Sequence, residues 1–299
     1  MRLVSFVEPD GDERPGPDPW QWPGRWRTGV VVGDELVDLT DPEVGLPGDM
    51  ADLLAQGEGA LARAESAPLG SASRLPLTGV RLLAPVPRPP AVLAIGMNYA
   101  AHVAEFGREP PEHQVWFNKQ RTCVIGPGAA IEVPAVSEQV DYEGELAFVI
   151  ARRCRHVDES DAMSVIAGFT VMNDVSVRDW QWRSPTWTMG KSFDTHGPLG
   201  PWLVTGDEVG DPGRLRLRTW VDGELRQRGG GAVDQPPGDV APGQTLHYGA
   251  VCAGGPRNDG EREACRRLGR RLAEWVQTFI CGRSEHDPRK ATYARFPAE

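Results

Sequence analysis

The stretch Asp141-Tyr-Glu-Gly-Glu-Leu-Ala-Phe-Val-Ile150 begins in acid and ends in an unbroken apolar run. Leu146 to Ile150 has the β-branched and aromatic character of a buried strand. Glu143 and Glu145 open that strand two residues apart, so both side chains leave the same face and converge on one point. A second strand-like run, Ile166-Ala-Gly-Phe-Thr-Val-Met172, delivers Asp174 at its end, within Asn173-Asp-Val-Ser-Val-Arg-Asp179. Ionised carboxylates in such surroundings are costly unless something compensates their charge, and a bound divalent cation does so. With no His or Cys cluster nearby, these oxygen donors suit hard cations that keep part of their water: Mg²⁺ or Mn²⁺, with Ca²⁺ also compatible, rather than zinc. The competing reading, a solvated acidic face on an exposed strand, is weakened by the residues around the acids.

Downstream, Gly190-Lys-Ser-Phe-Asp-Thr195 places Lys191 in a Gly-flanked turn, preceded by Arg178 and Gln181 three residues apart. Upstream, in Gly96-Met-Asn-Tyr-Ala-Ala-His-Val-Ala-Glu105, the spacing lets His102 and Glu105 meet on one helical turn. A carboxylate holding one imidazole nitrogen fixes the tautomer and raises the basicity of the other, which makes a general base for water. Taken singly, each of these is a surface pair or a solvated lysine.

Together they form a pattern. The run from about Pro85 to Gln227 resembles the fumarylacetoacetate hydrolase family, in its bacterial form with an N-terminal extension. The blocks that carry the resemblance are Ile95-Gly-Met-Asn-Tyr-Ala-Ala-His102 with Glu105, Phe117-Asn-Lys119, Gly126-Pro127 with Ile131 and Pro134, Asp141-Tyr-Glu-Gly-Glu145, Asn173 to Gln181, and Gly190-Lys-Ser-Phe-Asp-Thr195 leading into Gly200-Pro-Trp-Leu-Val-Thr205. The resemblance implies an α+β, mainly β fold, a mixed β-roll or barrel with a small N-terminal α+β domain. It implies Glu143, Glu145 and Asp174 as metal ligands and Lys191 as the charge-stabilising lysine. His102 and Glu105 become a catalytic dyad on a lid, and Arg178 and Gln181 contact substrate. It also implies a homodimer acting on a small 2-oxo acid, such as an acylpyruvate met in the catabolism of aromatic compounds.

The chemistry follows. A 2-oxo acid offers a carboxylate and an adjacent oxo oxygen to one Mg²⁺ or Mn²⁺, and the enolate formed when a carbon-carbon bond breaks is stabilised by the cation and Lys191. His102, oriented by Glu105, activates the water. Hydrolysis of an acylpyruvate is the expected reaction; isomerisation, decarboxylation and hydration of a 2-oxo acid use the same enolate.

Composition excludes other classes. At 299 residues with 40% hydrophobic content the chain holds a sizeable core. A net charge of -10 speaks against a nucleic-acid surface, which needs clustered cations. No apolar run has the length of a membrane span, and Met1-Arg-Leu-Val-Ser-Phe-Val-Glu-Pro9 lacks the order of a signal peptide, so a cytoplasmic location is expected. Five widely spaced cysteines, Cys123, Cys154, Cys252, Cys265 and Cys281, suggest neither a disulfide frame nor a zinc knuckle.

Three segments are expected. Residues 1–84 read as a small α+β domain, with a strand at Leu3–Val7, a strand pair around Gly29–Gly33 and Glu35–Leu39, and one helix near Met50 to Glu65. Pro85-Val-Pro-Arg-Pro-Pro90 is a stiff connector. Residues 85–228 form the catalytic, β-rich domain, where the chain's many Gly and Pro punctuate short strands. In residues 229–299 the character changes: Gly-rich and Arg-rich sequence replaces the expected closing segment, and the helical spacing of Leu268, Leu272, Trp275 and Phe279 stands alone. A divergent terminus and a shift of reading frame both fit. The frame shift is favoured, because a core-closing segment is a poor place for such a replacement; it leaves an incomplete pocket and a catalytically impaired remnant, and it predicts few regular strands there.

Overall fold

The computed structural model describes residues 1–8, 26–96, 112–212, 215–230 and 248–252. Among the described residues sixteen strands lie in chain order: β1 (Arg2–Val7), β2 (Arg27–Val32), β3 (Glu35–Asp38), β4 (Arg74–Pro76), β5 (Arg81–Leu82), β6 (Ala91–Gly96), β7 (Val115–Lys119), β8 (Val124–Ile125), β9 (Val140–Asp141), β10 (Gly144–Ile150), β11 (Ile166–Asn173), β12 (Ser176–Val177), β13 (Gly197–Val204), β14 (Arg216–Val221), β15 (Glu224–Gly230) and β16 (Tyr248–Cys252). Twelve of them make one sheet, ordered β4-β3-β2-β1-β13-β11-β10-β16-β6-β7, with β5 on β1 and β8 on β13. Short α-helices at Met50–Ala55, Glu58–Ser66, Arg178–Gln181 and Gly206–Val209 complete the α+β, mainly β architecture.

The run that opened the sequence reading lies at the centre of the sheet. β10 pairs antiparallel with β11, from Gly144 opposite Asn173 to Ile150 opposite Ile166. Its apolar run is continuous because both faces are covered. Ala147 and Val149 join the main core with Leu3, Leu53, Val92, Met172 and Leu203, whereas Phe148 and Ile150 pack on the other side with Ala162, Val165 and Phe169.

The expected boundary at residue 84 falls between β5 and β6. Strands from both sides of it share the sheet through the antiparallel β1–β13 pair, and one core takes side chains from both. The helix expected over Met50 to Glu65 is two helices, because Gly57 adopts φ 75 between them and a left-handed residue ends the first turn sequence. The strand-turn-strand read at Val221–Gln227 is the β14–β15 hairpin, with Asp222 and Gly223 at φ 52 and 81 in its two-residue turn.

In the C-terminal segment, β16 occupies an inner place in the sheet, parallel to β10 and antiparallel to β6. The remainder of residues 231–299, including the helical stripe through Trp275 and Phe279, lies outside the described residues. Among the described residues no helix is long and apolar enough to cross a membrane, and Cys123 and Cys154 form no disulfide with one another.

Candidate active site and metal centre

The β10–β11 register sets the site. Gly144 faces Asn173, so Glu143 and Asp174 stand opposite one another at the strand ends and Glu145 faces Met172 one pleat further in. The ends are stitched: Asp174 donates its main-chain N–H to the Glu143 carbonyl at 2.8 Å, and the Glu143 N–H donates to Asn173 Oδ1 at 3.0 Å. Glu143, Glu145 and Asp174 are 2%, 0% and 0% exposed. Each offers an oxygen within 4.8 Å of the others. Three buried, convergent carboxylates with no sulfur or imidazole donor in the group are a donor set that fits a hard divalent cation.

Fixed cations surround these acids. Lys191, fully buried, donates from Nζ to Glu143 Oε2 and to Asp174 Oδ2, both at 2.7 Å. Its ammonium lies over the Phe117 ring, 5.1 Å from the centroid. Lys119, on β7, donates from Nζ to Asp174 Oδ1 at 2.5 Å. Arg178 places Nη1 2.6 Å from Glu143 Oε1 and Nη2 2.6 Å from Asp141 Oδ2. The acids therefore meet three permanent positive charges in a water-poor setting, where each pair is worth more than at the surface.

Burial lifts the Glu145 carboxyl well above the usual carboxylate range; Asp174 and Glu143 push the same way, and Lys191 and Lys119 only partly offset them. For Lys119, burial opposes the charge, but Asp174, Cys123 and Glu145 together outweigh that cost and its pKa is raised. Arg178 behaves alike: burial works against the guanidinium, and Glu143 and Asp141 more than compensate, so its pKa is also raised.

The structure thus brings together Glu143, Glu145, Asp174 and Lys191, the residues read from the strand spacing and the Gly-flanked turn. Arg178 and Gln181 are beside them, with Arg178 Nη1 donating to Gln181 Oε1 at 2.9 Å, so the guanidinium serves Glu143, Asp141 and Gln181. His102 and Glu105 lie outside the described residues. Two contributors carried no role in the sequence reading. Asp141 anchors Arg178, and Lys119 reaches Asp174. The alternation in β7, with Phe117 and Lys119 buried on either side of exposed Asn118, is the signal that marks Lys119 once the strand is known.

Residues 91–233 match the family model described as fumarylacetoacetate (FAA) hydrolase C-terminal. A mitochondrial oxaloacetate tautomerase of Xenopus laevis is 39% identical over 231 residues, 76% of this chain and 69% of that protein. One from Homo sapiens is 42% identical over 233 residues, 77% of this chain and 70% of the relative. Among solved structures, the fumarylacetoacetate hydrolase of Exiguobacterium antarcticum superposes with a TM-score of 0.62 at 33% identity, covering 77% of this chain and 75% of the other. The maleylpyruvate hydrolase of Sphingobium sp. SYK-6, in complex with manganese (II) ion and pyruvate, does so with a TM-score of 0.59 at 30% identity, covering 77% and 76%.

Proposed function

This chain belongs to the fumarylacetoacetate hydrolase family, and from that premise we propose that it is a divalent-metal-dependent tautomerase of a small 2-oxo dicarboxylic acid of the oxaloacetate type. The observation that carries the reading is the buried Lys191 ammonium bridging two of three convergent carboxylates. It sets a positive donor beside carboxylates that would hold a hard cation, as a developing enolate requires. The preference for tautomerisation over bond cleavage comes from the relatives: those at 39% and 42% identity are named oxaloacetate tautomerases, and the maleylpyruvate hydrolase stands at 30%.

Glu143, Glu145 and Asp174 would hold Mg²⁺ or Mn²⁺. When bound, the cation supplies Lewis-acid polarisation of the substrate's oxo group and carboxylate. Lys191 donates a hydrogen bond to the oxo oxygen as C=O becomes C–O⁻. His102, paired with Glu105 in the sequence motif, would take a proton from the carbon beside the oxo group and pass that proton to the oxygen, completing the enol; the reverse order returns the keto form. Arg178 keeps Glu143 turned into the cluster through its bonds to Glu143 and Asp141.

Hydrolysis of an acylpyruvate is the second reading. The motif Ala101-His-Val-Ala-Glu105 favours it, since an oriented imidazole activates water as readily as it moves a carbon-bound proton. Hydroxide then adds to the acyl carbonyl, the carbon-carbon bond breaks, and the pyruvate enolate takes up a proton. A homodimer in the cytoplasm remains part of the proposal, although the vertebrate relatives are named mitochondrial.

The test follows the decay of enol-oxaloacetate absorbance with Mg²⁺ or Mn²⁺, against chelator, beside an acylpyruvate panel. Metal-dependent acceleration that disappears in Glu143→Gln is the expected result. Cleavage of acylpyruvates with no effect on oxaloacetate transfers the assignment to the hydrolase reading, and inertness toward both sets overturns the two together.

A further inference from the structure

Of the 32 basic residues only three are lysines, Lys119, Lys191 and Lys290; all others are arginine. Two of these three meet at one carboxylate. Lys119 Nζ is 2.5 Å from Asp174 Oδ1, and Lys191 Nζ is 2.7 Å from Asp174 Oδ2, with both side chains 0% exposed. At such a place a compact ammonium is needed, because a planar guanidinium cannot place one nitrogen among three converging acceptors.

Lys119 has three such acceptors. Besides Asp174 Oδ1, its Nζ donates to Val175 O at 3.3 Å and to the main-chain carbonyl of Lys191. An ammonium has three donors, so none is left for a substrate. Lys119 also sits two residues from Phe117 on β7, and the Phe117 ring lies beneath the Lys191 ammonium. β7 therefore grips Lys191 twice, by ring at the side-chain end and by hydrogen bond at the main chain.

We propose that Lys119 is a positioning residue: by occupying Asp174 Oδ1 and the Lys191 carbonyl together, it turns Asp174 Oδ2 into the acidic cluster and fixes the Lys191 main chain in register with it. This rests on the metal-dependent reading above. A cation that only balanced charge would have a different consequence. Removing it would leave the cluster more negative and draw a divalent cation more tightly, whereas removing a positioning group lets Asp174 turn away and weakens the metal.

The sign of that change is the test. Lys119→Met is titrated with Mn²⁺ by calorimetry and assayed at saturating metal. The expected result is Mn²⁺ affinity at least about tenfold weaker, as for loss of an outer-shell partner, with a fall in kcat far larger than any rise in KM. Tighter Mn²⁺ binding, or an unchanged kcat in the metal-saturated variant, overturns the proposal. Should Lys119→Met not fold, the wild-type protein decides through lysine-¹⁵Nζ-labelled NMR, where three lysines give a readable spectrum and Lys191→Met identifies one of them. The Lys119 ammonium should exchange slowly and hold its position when Mg²⁺ is added, while the Lys191 signal moves. A Lys119 signal that is absent, or that moves as far as that of Lys191, overturns the proposal. If wild-type protein binds no divalent cation, the proposed function fails while the metal-free spectrum still decides whether Lys119 is held.

Discussion

Glu143 and Asp174 are tied at both ends: the Asp174 main-chain N–H meets the Glu143 carbonyl at 2.8 Å, and the Lys191 ammonium joins their carboxylates at 2.7 Å each. Glu143 and Asp174 would hold a divalent cation in competition with that ammonium. Lys191→Met should therefore keep or tighten Mg²⁺ affinity while kcat falls by roughly 10²- to 10³-fold, the size seen when a preorganised oxyanion donor is removed. Calorimetry beside steady-state assays checks this, and weaker metal binding in the variant contradicts it.

The convergence of Glu143 and Glu145 was legible in sequence because a strand has period two, and Glu-x-Glu at the head of Leu146–Ile150 leaves few ways to point. The mainly β fold followed from the same alternation and from the family blocks in order. Lys119 was not legible, since a lysine becomes a buried partner only when β7, the β11 end and the Lys191 turn are brought together from positions far apart in the chain. Arg178 read as a substrate contact from its motif; its guanidinium bonds to Asp141 and Gln181 depend on a packing that no spacing encodes. The two helices in place of one turn on Gly57 alone. β16 was hidden for another reason, because Tyr248-Gly-Ala-Val-Cys252 is short and lies in a Gly-rich setting that masks its strand character.

Burial raises the Glu145 pKa, so at pH between the ordinary carboxylate value and that raised pKa the metal-free native state holds a proton that the unfolded chain releases. The contribution to metal-free stability is present at pH below the ordinary carboxylate value and is lost as pH rises through the raised native pKa. Cation binding must expel that proton. Calorimetry in buffers of different ionisation heat should show proton release on Mg²⁺ binding, lost in Glu145→Gln; equal release in that variant places the proton elsewhere.

His196 titrates in the opposite sense. Burial pushes its pKa down to about 4, with Nε2 2.9 Å from the Glu132 carbonyl oxygen. The native state therefore resists protonation that the unfolded chain accepts, and stability falls as pH drops from about 6.5 toward 4, by an amount on the order of 3 kcal/mol. Thermal melts across that range should show the loss, and His196→Gln should flatten the slope. A slope that survives the substitution assigns it to other groups.

Gly190 leaves no room for a side chain: a Cβ there would lie 2.3 Å from the Gln181 nitrogen and 2.4 Å from its Cα, both main-chain atoms. Gly190→Ala must push the Arg178–Gln181 helix away from Lys191. A stability loss of about 1–3 kcal/mol is expected, with a further fall in kcat at saturating metal. Denaturant melts and assays of the same preparation check both, and a variant as stable and active as wild type refutes the contact.

The inner strand β16 has a consequence for how the chain reaches its native state. Its neighbours β6 and β10 are made long before it, yet among the described residues their strand pairing runs only through residues 248–252, so the halves of the sheet carried by β6–β7 and by β10–β11 each show an open edge until the last fifth of the chain arrives. Closing that gap requires a strand far along the sequence to insert parallel to β10, a slow non-local step during which both edges are open to pairing with other chains. A chain ending before Tyr248 never closes it. During synthesis, the time between emergence of β11 and of β16 is the interval in which this protein most needs protection from its own copies.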